Sequence, residues 1–322
     1  MSEADAVAPP VSLQRVVAVV GPTGVGKTDV AEGLAIALDG EIVSADSMQV
    51  YRGMDIGTAK QPPQARRVPY HCIDLVEPGA PYSAALYQRD ARAAFADIRG
   101  HGHRPVLVGG TGLYVRAALD EMDFPQGRHD SPLRAEIEER AAMLGPAGLH
   151  RFLAERDPAS AALIHPNNAR RVVRALEMLA TGGPTYAHQV ARFTERRAAV
   201  PAIFVGLTME RGALYARIDE RVDAMVSAGL RDEVARLLAS GYRDALTASQ
   251  AIGYKELVPV LEDGADLEEA IASIRQVTRH YAKRQLTWFR AEPRISWIDV
   301  TDLSSRDAIS AALSLLESRS CD

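Results

Sequence analysis

The sequence predicts an α/β protein: a parallel sheet flanked by helices, with an all-helical domain inserted into it. Two observations carry this reading. Short, wholly apolar runs of strand length alternate with helical stretches in the first third of the chain. Short strands buried in this way imply a parallel sheet. Strand signals then vanish between about residues 120 and 200 and return afterwards.

In chain order, Val16 to Val20 is an apolar strand that runs through a glycine-rich turn into a helix over Thr28 to Leu38. Glu41 to Ala45 is a second strand, ending in Asp46-Ser47. Tyr70 to Val76 is a third, carrying Asp74. A helix over Tyr82 to Arg99 leads through His101-Gly102 into a strand at Pro105 to Val108, which ends in Gly109-Gly110-Thr111-Gly112. Prolines 132, 146, 158 and 166 and Gly182-Gly183-Pro184 punctuate the helical insertion. Pro201 to Leu207 restores a strand, helices dominate from Arg211 to Arg290, and a short strand at Arg294 to Ile298 precedes a last helix. The organisation expected is a disordered tail over 1–14, a core from 15–120 and 200–322, and an insertion over 121–199.

With 322 residues, 47% of them hydrophobic, the chain can bury a core and a second lobe. Its net charge of -5 means that contact with nucleic acid must come from local basic patches. Cys72 and Cys321 provide neither a disulfide framework nor a zinc knuckle and suit a reducing compartment. Met1 to Ser12 lacks the basic start and apolar stretch of a signal peptide, and no run of about 18 apolar residues occurs. A cytoplasmic protein with no membrane partner is expected.

Gly21-Pro22-Thr23-Gly24-Val25-Gly26-Lys27-Thr28 matches G-x-x-x-x-G-K-[ST] between a strand and a helix, which makes the core P-loop NTPase-like. Its glycines let backbone N–H groups turn onto phosphate oxygens, the helix N-terminus adds its dipole, and Lys27 supplies a point charge. The Thr28 hydroxyl can ligate Mg²⁺, the one cofactor expected. Lys27 is one of only four lysines in an arginine-rich chain, which points to a need for its compact charge. The loop alone does not choose between a nucleotide such as ATP and an isoprenoid diphosphate.

Asp46, at the carboxyl end of the second strand, is the candidate general base; an acid acting on Mg²⁺ through water, or a helix cap, would occupy the same place. Asp74 is read as structural. Thr111, between glycines, is placed to orient a nucleophile or bond Asp46, or is a simple turn threonine. Arg217 and Arg221 share a helical face at i, i+4, where either reaches a leaving diphosphate or pairs with Asp219, Glu220 and Asp223; Arg221 is preferred.

From Ile271 to Ala291 there are five basic groups, Arg275, Arg279, Lys283, Arg284 and Arg290, and no acid. Arg275, Arg279 and Lys283 share a helical face and read as a phosphate-tracking stripe, with His280, Tyr281, Trp288 and Phe289 available to stack or to pack. Arg170, Arg171 and Arg174 form a second cluster on the insertion.

The ordered set of Gly21 to Thr28, Asp46 to Tyr51, Gly57-Thr58-Ala59-Lys60, Gly109 to Tyr114, Arg170 to Glu177, Gln250 to Glu256 and Ala282 to Gln285 closely resembles the bacterial tRNA dimethylallyltransferases, also called tRNA isopentenyltransferases, over residues 15 to 298. The resemblance implies transfer of a dimethylallyl group from dimethylallyl diphosphate to N6 of the adenosine beside the anticodon (position 37), in tRNAs that read codons starting with U. On this basis Gly21 to Thr28 and Arg217 hold diphosphate rather than ATP, Asp46 takes the N6 proton, Thr111 positions the amine, and Lys27, Arg221 and Mg²⁺ on Thr28 stabilise the departing charge. It further implies that Asp46-Ser47-Met48-Gln49, Arg170-Arg171-Val172-Val173-Arg174, Gln250-Ala251-Ile252-Gly253-Tyr254-Lys255 and Thr278-Arg279-His280-Tyr281-Ala282-Lys283-Arg284-Gln285 lie against the anticodon stem-loop. A monomer is expected, which extracts the base from its stack before reaction.

Three rivals remain open from the residues. A small-molecule kinase would use ATP, with Asp46 activating a hydroxyl, but leaves the basic helix unexplained. An isopentenyltransferase of free adenine nucleotides has little need for the insertion. A non-catalytic RNA-binding module has no use for Asp46 and Thr111 at strand ends.

Overall fold

The computed structural model describes residues 15–124 and 132–320; the tail expected over 1–14 lies outside the described residues. Six parallel strands form one sheet in the order β3-β2-β4-β1-β5-β6. They are β1 (Val16–Val20), β2 (Gly40–Ser44), β3 (Tyr70–His71), β4 (Arg104–Gly109), β5 (Ala202–Thr208) and β6 (Ile295–Asp299). All of their pairings are parallel, as runs without polar alternation predict.

The topology positions the site. Neighbours β2, β4 and β1 end almost level, with Ser44 opposite Val108 and Val20 opposite Gly109. The loops that follow them, which begin at Ala45, Gly110 and Gly21, therefore meet at one carboxyl edge, where open α/β sheets bind ligands. Close approach is what the glycines there allow. A Cβ on Gly109 would sit 2.2 Å from the Ala45 carbonyl oxygen, and one on Gly21 2.5 Å from that of Leu207.

Helices α1 (Lys27–Ala37) and α2 (Ala84–Gly100) follow β1 and β3. The core joins Val17, Val19, Ile42 and Val205 of the sheet to Val30, Ala31 and Leu34 of α1 and to Ala308, Ala312 and Leu316 of the last helix, Ser305–Ser320. Helix α3 (Gly112–Leu119), directly after Thr111, has no counterpart in the sequence reading. Tyr114 to Leu119 is buried without interruption, so it carries no amphipathic period to read.

The third strand is shorter than expected. It stops at His71 because Cys72 and Asp74 adopt left-handed backbone angles (φ 58° and 55°), and pairing resumes only as a single bridge between Tyr51 and Val76. Asp74 is structural. The buried Lys60 ammonium lies 2.6 Å from both Asp74 and Asp55 and donates to the Tyr51 carbonyl, which ties together the loop that follows β2.

The chain forms two compact units, one running to Leu119 and resuming at Ala199, the other spanning Asp120–Ala198. The second is helical: α4 (Pro132–Ala154), broken at Gly145 before Pro146, then α5 (Pro158–Ala162), α6 (Ala169–Ala180) and α7 (Tyr186–Glu195). Asp157, Asn168 and Thr185 cap α5, α6 and α7 by accepting from the third N–H downstream. Its core holds Leu149, Leu153, Ile164, Leu176 and, with them, Val172 and Val173.

In the first unit, α8 (Arg211–Ser227), α9 (Leu230–Leu238), α10 (Val258–Glu262) and α11 (Leu267–Arg290) precede β6, and Ser305–Ser320 is α12. No described helix is long and apolar enough to cross a membrane. Glu233 of α9 is only 2% exposed and accepts from the Ile56 and Gly57 N–H groups and from the Tyr254 hydroxyl at 2.6 Å. That carboxylate pins the loop after β2 against the segment carrying Tyr254. Glu233→Ala leaves the buried Tyr254 hydroxyl and two half-buried N–H groups without their acceptor, so urea unfolding should show a loss of about 2 kcal/mol or more, against less than half of that for Glu233→Gln, which keeps an acceptor.

Candidate functional site

The loop after β1 bends through Gly24 (φ 84°) and Gly26 (φ 92°), conformations suited to glycine, and delivers Lys27 and Thr28 to the first turn of α1. Lys27 folds back so that Nζ donates to the Pro22 carbonyl oxygen at 2.6 Å. Burial, then the neighbouring Arg221 guanidinium, pushes the Lys27 ammonium down to about 7, while Asp46 opposes them. Burial likewise lowers Arg221, with Asp46 again opposing.

Asp46 heads a tight turn in which its Oδ1 accepts from the Met48 N–H at 2.8 Å. Thr111 is held beside it: its hydroxyl accepts from the Ser47 N–H at 3.1 Å and its own N–H donates to the Ala45 carbonyl. Tyr281 of α11 completes the group, its hydroxyl facing Thr111 and Gln285. Burial, then the Asp46 charge, raises that phenol to about 12 and keeps it protonated.

Two cavities meet on these residues. One, of about 120 Å³, is the phosphate side and is lined by Lys27, Thr28, Asp46, Gly110, Arg221 and Gln285. The other, of about 280 Å³, is lined on one side by Ser47, Met48 and the stretch Gln250 to Lys255, which mixes polar and apolar side chains, and by the apolar Ile218, Val222, Met225, Ile274 and Val277. Thr23, Asp46, Thr58, Arg221 and Tyr281 line both. A ligand with phosphate in the first and an apolar or aromatic body in the second would place its joining atoms at Asp46 and Arg221.

The two candidate arginines separate. Arg221 reaches the junction, whereas Arg217 is exposed and flanks the phosphate loop, its Nη2 3.7 Å from where a Cβ on Gly26 would be. Thr28 and Asp46 present hard oxygen donors to the same small cavity, the partners Mg²⁺ takes together with substrate phosphate. Among the described residues no group of three or more His, Cys, Asp or Glu is arranged to hold a metal, and a phosphate-bridged Mg²⁺ does not require one.

The basic stripe is differently disposed from the sequence reading. Arg275 pairs with Asp223 and Arg279 with Asp219, both on α8, so these two guanidiniums join helices; Lys283 and Arg284 are exposed, and Arg284 lies over the Tyr281 ring. His280 is exposed and Thr278 lines the larger cavity, but Ala282 is fully buried. All of Gln250 to Lys255 line the larger cavity, Ala251, Gly253 and Tyr254 from buried positions. Gln49 spends its amide on Ser44 and Thr58. On the insertion, Arg170 and Arg171 are exposed and Arg174 sits 3.4 Å from Glu177; Val172 and Val173 are core residues instead of RNA-facing ones, packed among the apolar side chains of that unit. Neither Glu233 nor the bracing by Gln285 carries a local signal, since each acts on residues far away in sequence.

Residues 49–292 match the family described as IPP transferase. The chain is 49% identical over 293 residues to the tRNA dimethylallyltransferase of Symbiobacterium thermophilum, covering 90% of this chain and 91% of the relative. It is 47% identical over 291 residues to that of Geobacillus kaustophilus, covering 90% and 91%. Among solved structures it is similar to the full-length tRNA isopentenylpyrophosphate transferase of Bacillus halodurans, with 43% identity, 95% and 98% of the two chains covered and a TM-score of 0.68. It is also similar to a eukaryotic dimethylallyltransferase acting on tRNA, with 30% identity, 94% and 78% covered and a TM-score of 0.77. The match over residues 49–292 and the identity to relatives across about nine-tenths of the chain place it in the IPP transferase family.

Proposed function

We propose that the protein transfers the dimethylallyl group of dimethylallyl diphosphate to N6 of the adenosine adjacent to the anticodon in tRNAs that read codons starting with U, releasing diphosphate. The observation that carries this is the junction of the two cavities, where the Asp46 carboxylate, the Arg221 guanidinium and the Tyr281 phenol line both, with Lys27 beside them on the phosphate side. Adenine N6 attacks C1 of the donor as the C1–O bond breaks, and the electron pair leaves with diphosphate. Asp46 receives the N6 proton, with Thr111 and Tyr281 hydroxyls beside it to orient the amine. Lys27, Arg221 and the backbone of the phosphate loop take up the charge that develops on the leaving oxygens. Mg²⁺, held by Thr28 and the diphosphate, would add Lewis-acid stabilisation of the same charge.

The prenyl tail suits the apolar side chains Ile218, Val222, Met225, Ile274 and Val277 of the larger cavity, and the base suits its lining by Ser47, Gln250 and Lys255. A flipped adenine is needed, because N6 in a stacked loop cannot reach Asp46. The exposed Lys283, Arg284, Arg170 and Arg171 supply phosphate contacts. A monomer acting on tRNA in the cytoplasm belongs to the same proposal.

Incubation with Mg²⁺, labelled dimethylallyl diphosphate and unmodified tRNA, followed by nucleoside analysis, should place label on N6 of that adenosine. Label on AMP alone, or consumption of ATP alone, would overturn the proposal. Asp46→Ala should lower kcat by about 10² to 10⁴ while tRNA affinity holds. Lys283→Glu should instead weaken tRNA binding and make its salt dependence shallower, by about 0.7 to 0.9 in log–log slope for each phosphate that the protein no longer neutralises.

Lys27 generates a further expectation. Its ammonium titrates near 7 when folded and near 10.5 when unfolded, so the unfolded chain holds the extra proton between those values. The stability contribution of Lys27 therefore rises with pH across that window, and the cost of burying its charge is fullest below it. Lys27→Met should raise the melting temperature of the ligand-free protein at pH 6 more than at pH 10, while eliminating inorganic diphosphate binding. Calorimetric unfolding and titration of the two proteins read both effects.

A further inference from the structure

Gln285 of α11 is 5% exposed, and its amide is engaged at both ends. Oε1 accepts from the Thr23 N–H at 2.8 Å, and Nε2 donates to the Gly110 carbonyl oxygen at 2.9 Å. These partners set the orientation of the amide, because a flip would oppose donor to donor and acceptor to acceptor. Thr23 is the third residue of the phosphate loop and Gly110 directly precedes Thr111, so one side chain spans the two loops that flank the junction. The Tyr281 hydroxyl, one helical turn away, faces the same amide.

Gly110 fits this arrangement. A Cβ there would lie 2.2 Å from Gln285 Nε2, whereas the nearest atom outside Gln285, the Gly21 carbonyl oxygen, is 3.5 Å away. The glycine is thus required by Gln285 rather than by the backbone around it. With both ends of its amide bonded, Gln285 has no surface for the RNA contact expected from the sequence.

We propose that Gln285 is a positioning residue, a strut that fixes the spacing between the phosphate loop and the Thr111 loop so that the diphosphate and the attacking amine stay in line. The proposal rests on the function proposed above for its transfer readout, but not for its binding readout. Loss of the strut frees the Thr23 N–H and the Thr111 loop without touching the exposed residues of α11.

The test uses Gln285→Ala, Gln285→Glu, Gly110→Ala and the double variant Gln285→Ala/Gly110→Ala, with inorganic diphosphate binding by calorimetry, steady-state transfer, tRNA affinity and melting temperature measured on each. Gln285→Ala and Gly110→Ala should each lower kcat by about 10²-fold, the scale of a misplaced reacting group. Each should weaken inorganic diphosphate about tenfold, the size of one lost hydrogen bond, with tRNA affinity unchanged. The double variant should be no worse than either single one, because both remove the same interaction. Gln285→Glu, close in shape but with a carboxylate oxygen against the Gly110 carbonyl, should be at least as impaired in kcat as Gln285→Ala. Single effects that multiply in the double variant, or tRNA affinity falling in step with turnover, would overturn the strut. Should the wild-type protein bind inorganic diphosphate but transfer no prenyl group, the proposed function falls, while the shared binding defect of the variants still upholds the strut.

Discussion

Two half-buried cations set side by side are the constraint around which the site is arranged. Lys27 is held below its usual range by burial and by Arg221, Arg221 is lowered by its own burial, and Asp46 is a carboxylate that both of them feel. Burial of like charges is costly without a compensating anion, so the arrangement is stabilised by a ligand that brings several negative oxygens. Nothing so charged would persist as a hydrophobic packing device. The same cost explains why Lys27 turns back onto the Pro22 carbonyl: an ammonium partly withdrawn from water needs acceptors, and the loop offers one of its own.

Holding those charges in register falls to the loops and to what braces them from below. Parallel strands that end level bring three loops together, but a loop of this length sets only its own ends. Lys60 and Glu233 supply the missing constraints from opposite signs, Lys60 by gathering Asp55, Asp74 and the Tyr51 carbonyl, and Glu233 by gathering two backbone amides and a phenol. Each is a buried charge fully engaged in hydrogen bonds. Such groups confer geometry rather than net stability, which is what a reaction centre needs.

The sequence disclosed most of the sheet, because an apolar run is a local signal, and it disclosed the phosphate loop, Asp46 and Thr111 because the topology of parallel strands puts their loops at one edge. It concealed α3, whose burial on all sides erases periodicity. Pairing was also concealed. Arg275 and Arg279 read as a bare stripe when only their own helix is considered; their acids, Asp223 and Asp219, lie about fifty to sixty residues earlier on α8. Gln285 carries no charge and sits among basic residues, so its neighbours in sequence suggest RNA, while its neighbours in space are backbone groups of two loops. Val172 and Val173 show the same limit within one short motif, where Arg170 and Arg171 are exposed and the valines are core.

Helix α11 shows how one element serves both sides of the chemistry. Its buried positions, Ile271, Ile274, Ala282, Gln285 and Phe289, form the stripe that packs inward. Toward its middle Arg275 and Arg279 are neutralised by α8; nearer its C-terminus Lys283, Arg284 and Arg290 are exposed. Positive charge is therefore concentrated toward the C-terminal half, where the helix dipole also favours it and where Arg284 lines the larger cavity. A chain of net charge -5 thereby presents a positive field at the mouth of the site, while its overall negative balance disfavours holding RNA in unproductive places. The inward stripe then carries Gln285 to the phosphate loop, so the exposed basic residues proposed to meet the nucleic acid and the residue that braces the phosphate loop are neighbours on a single helix.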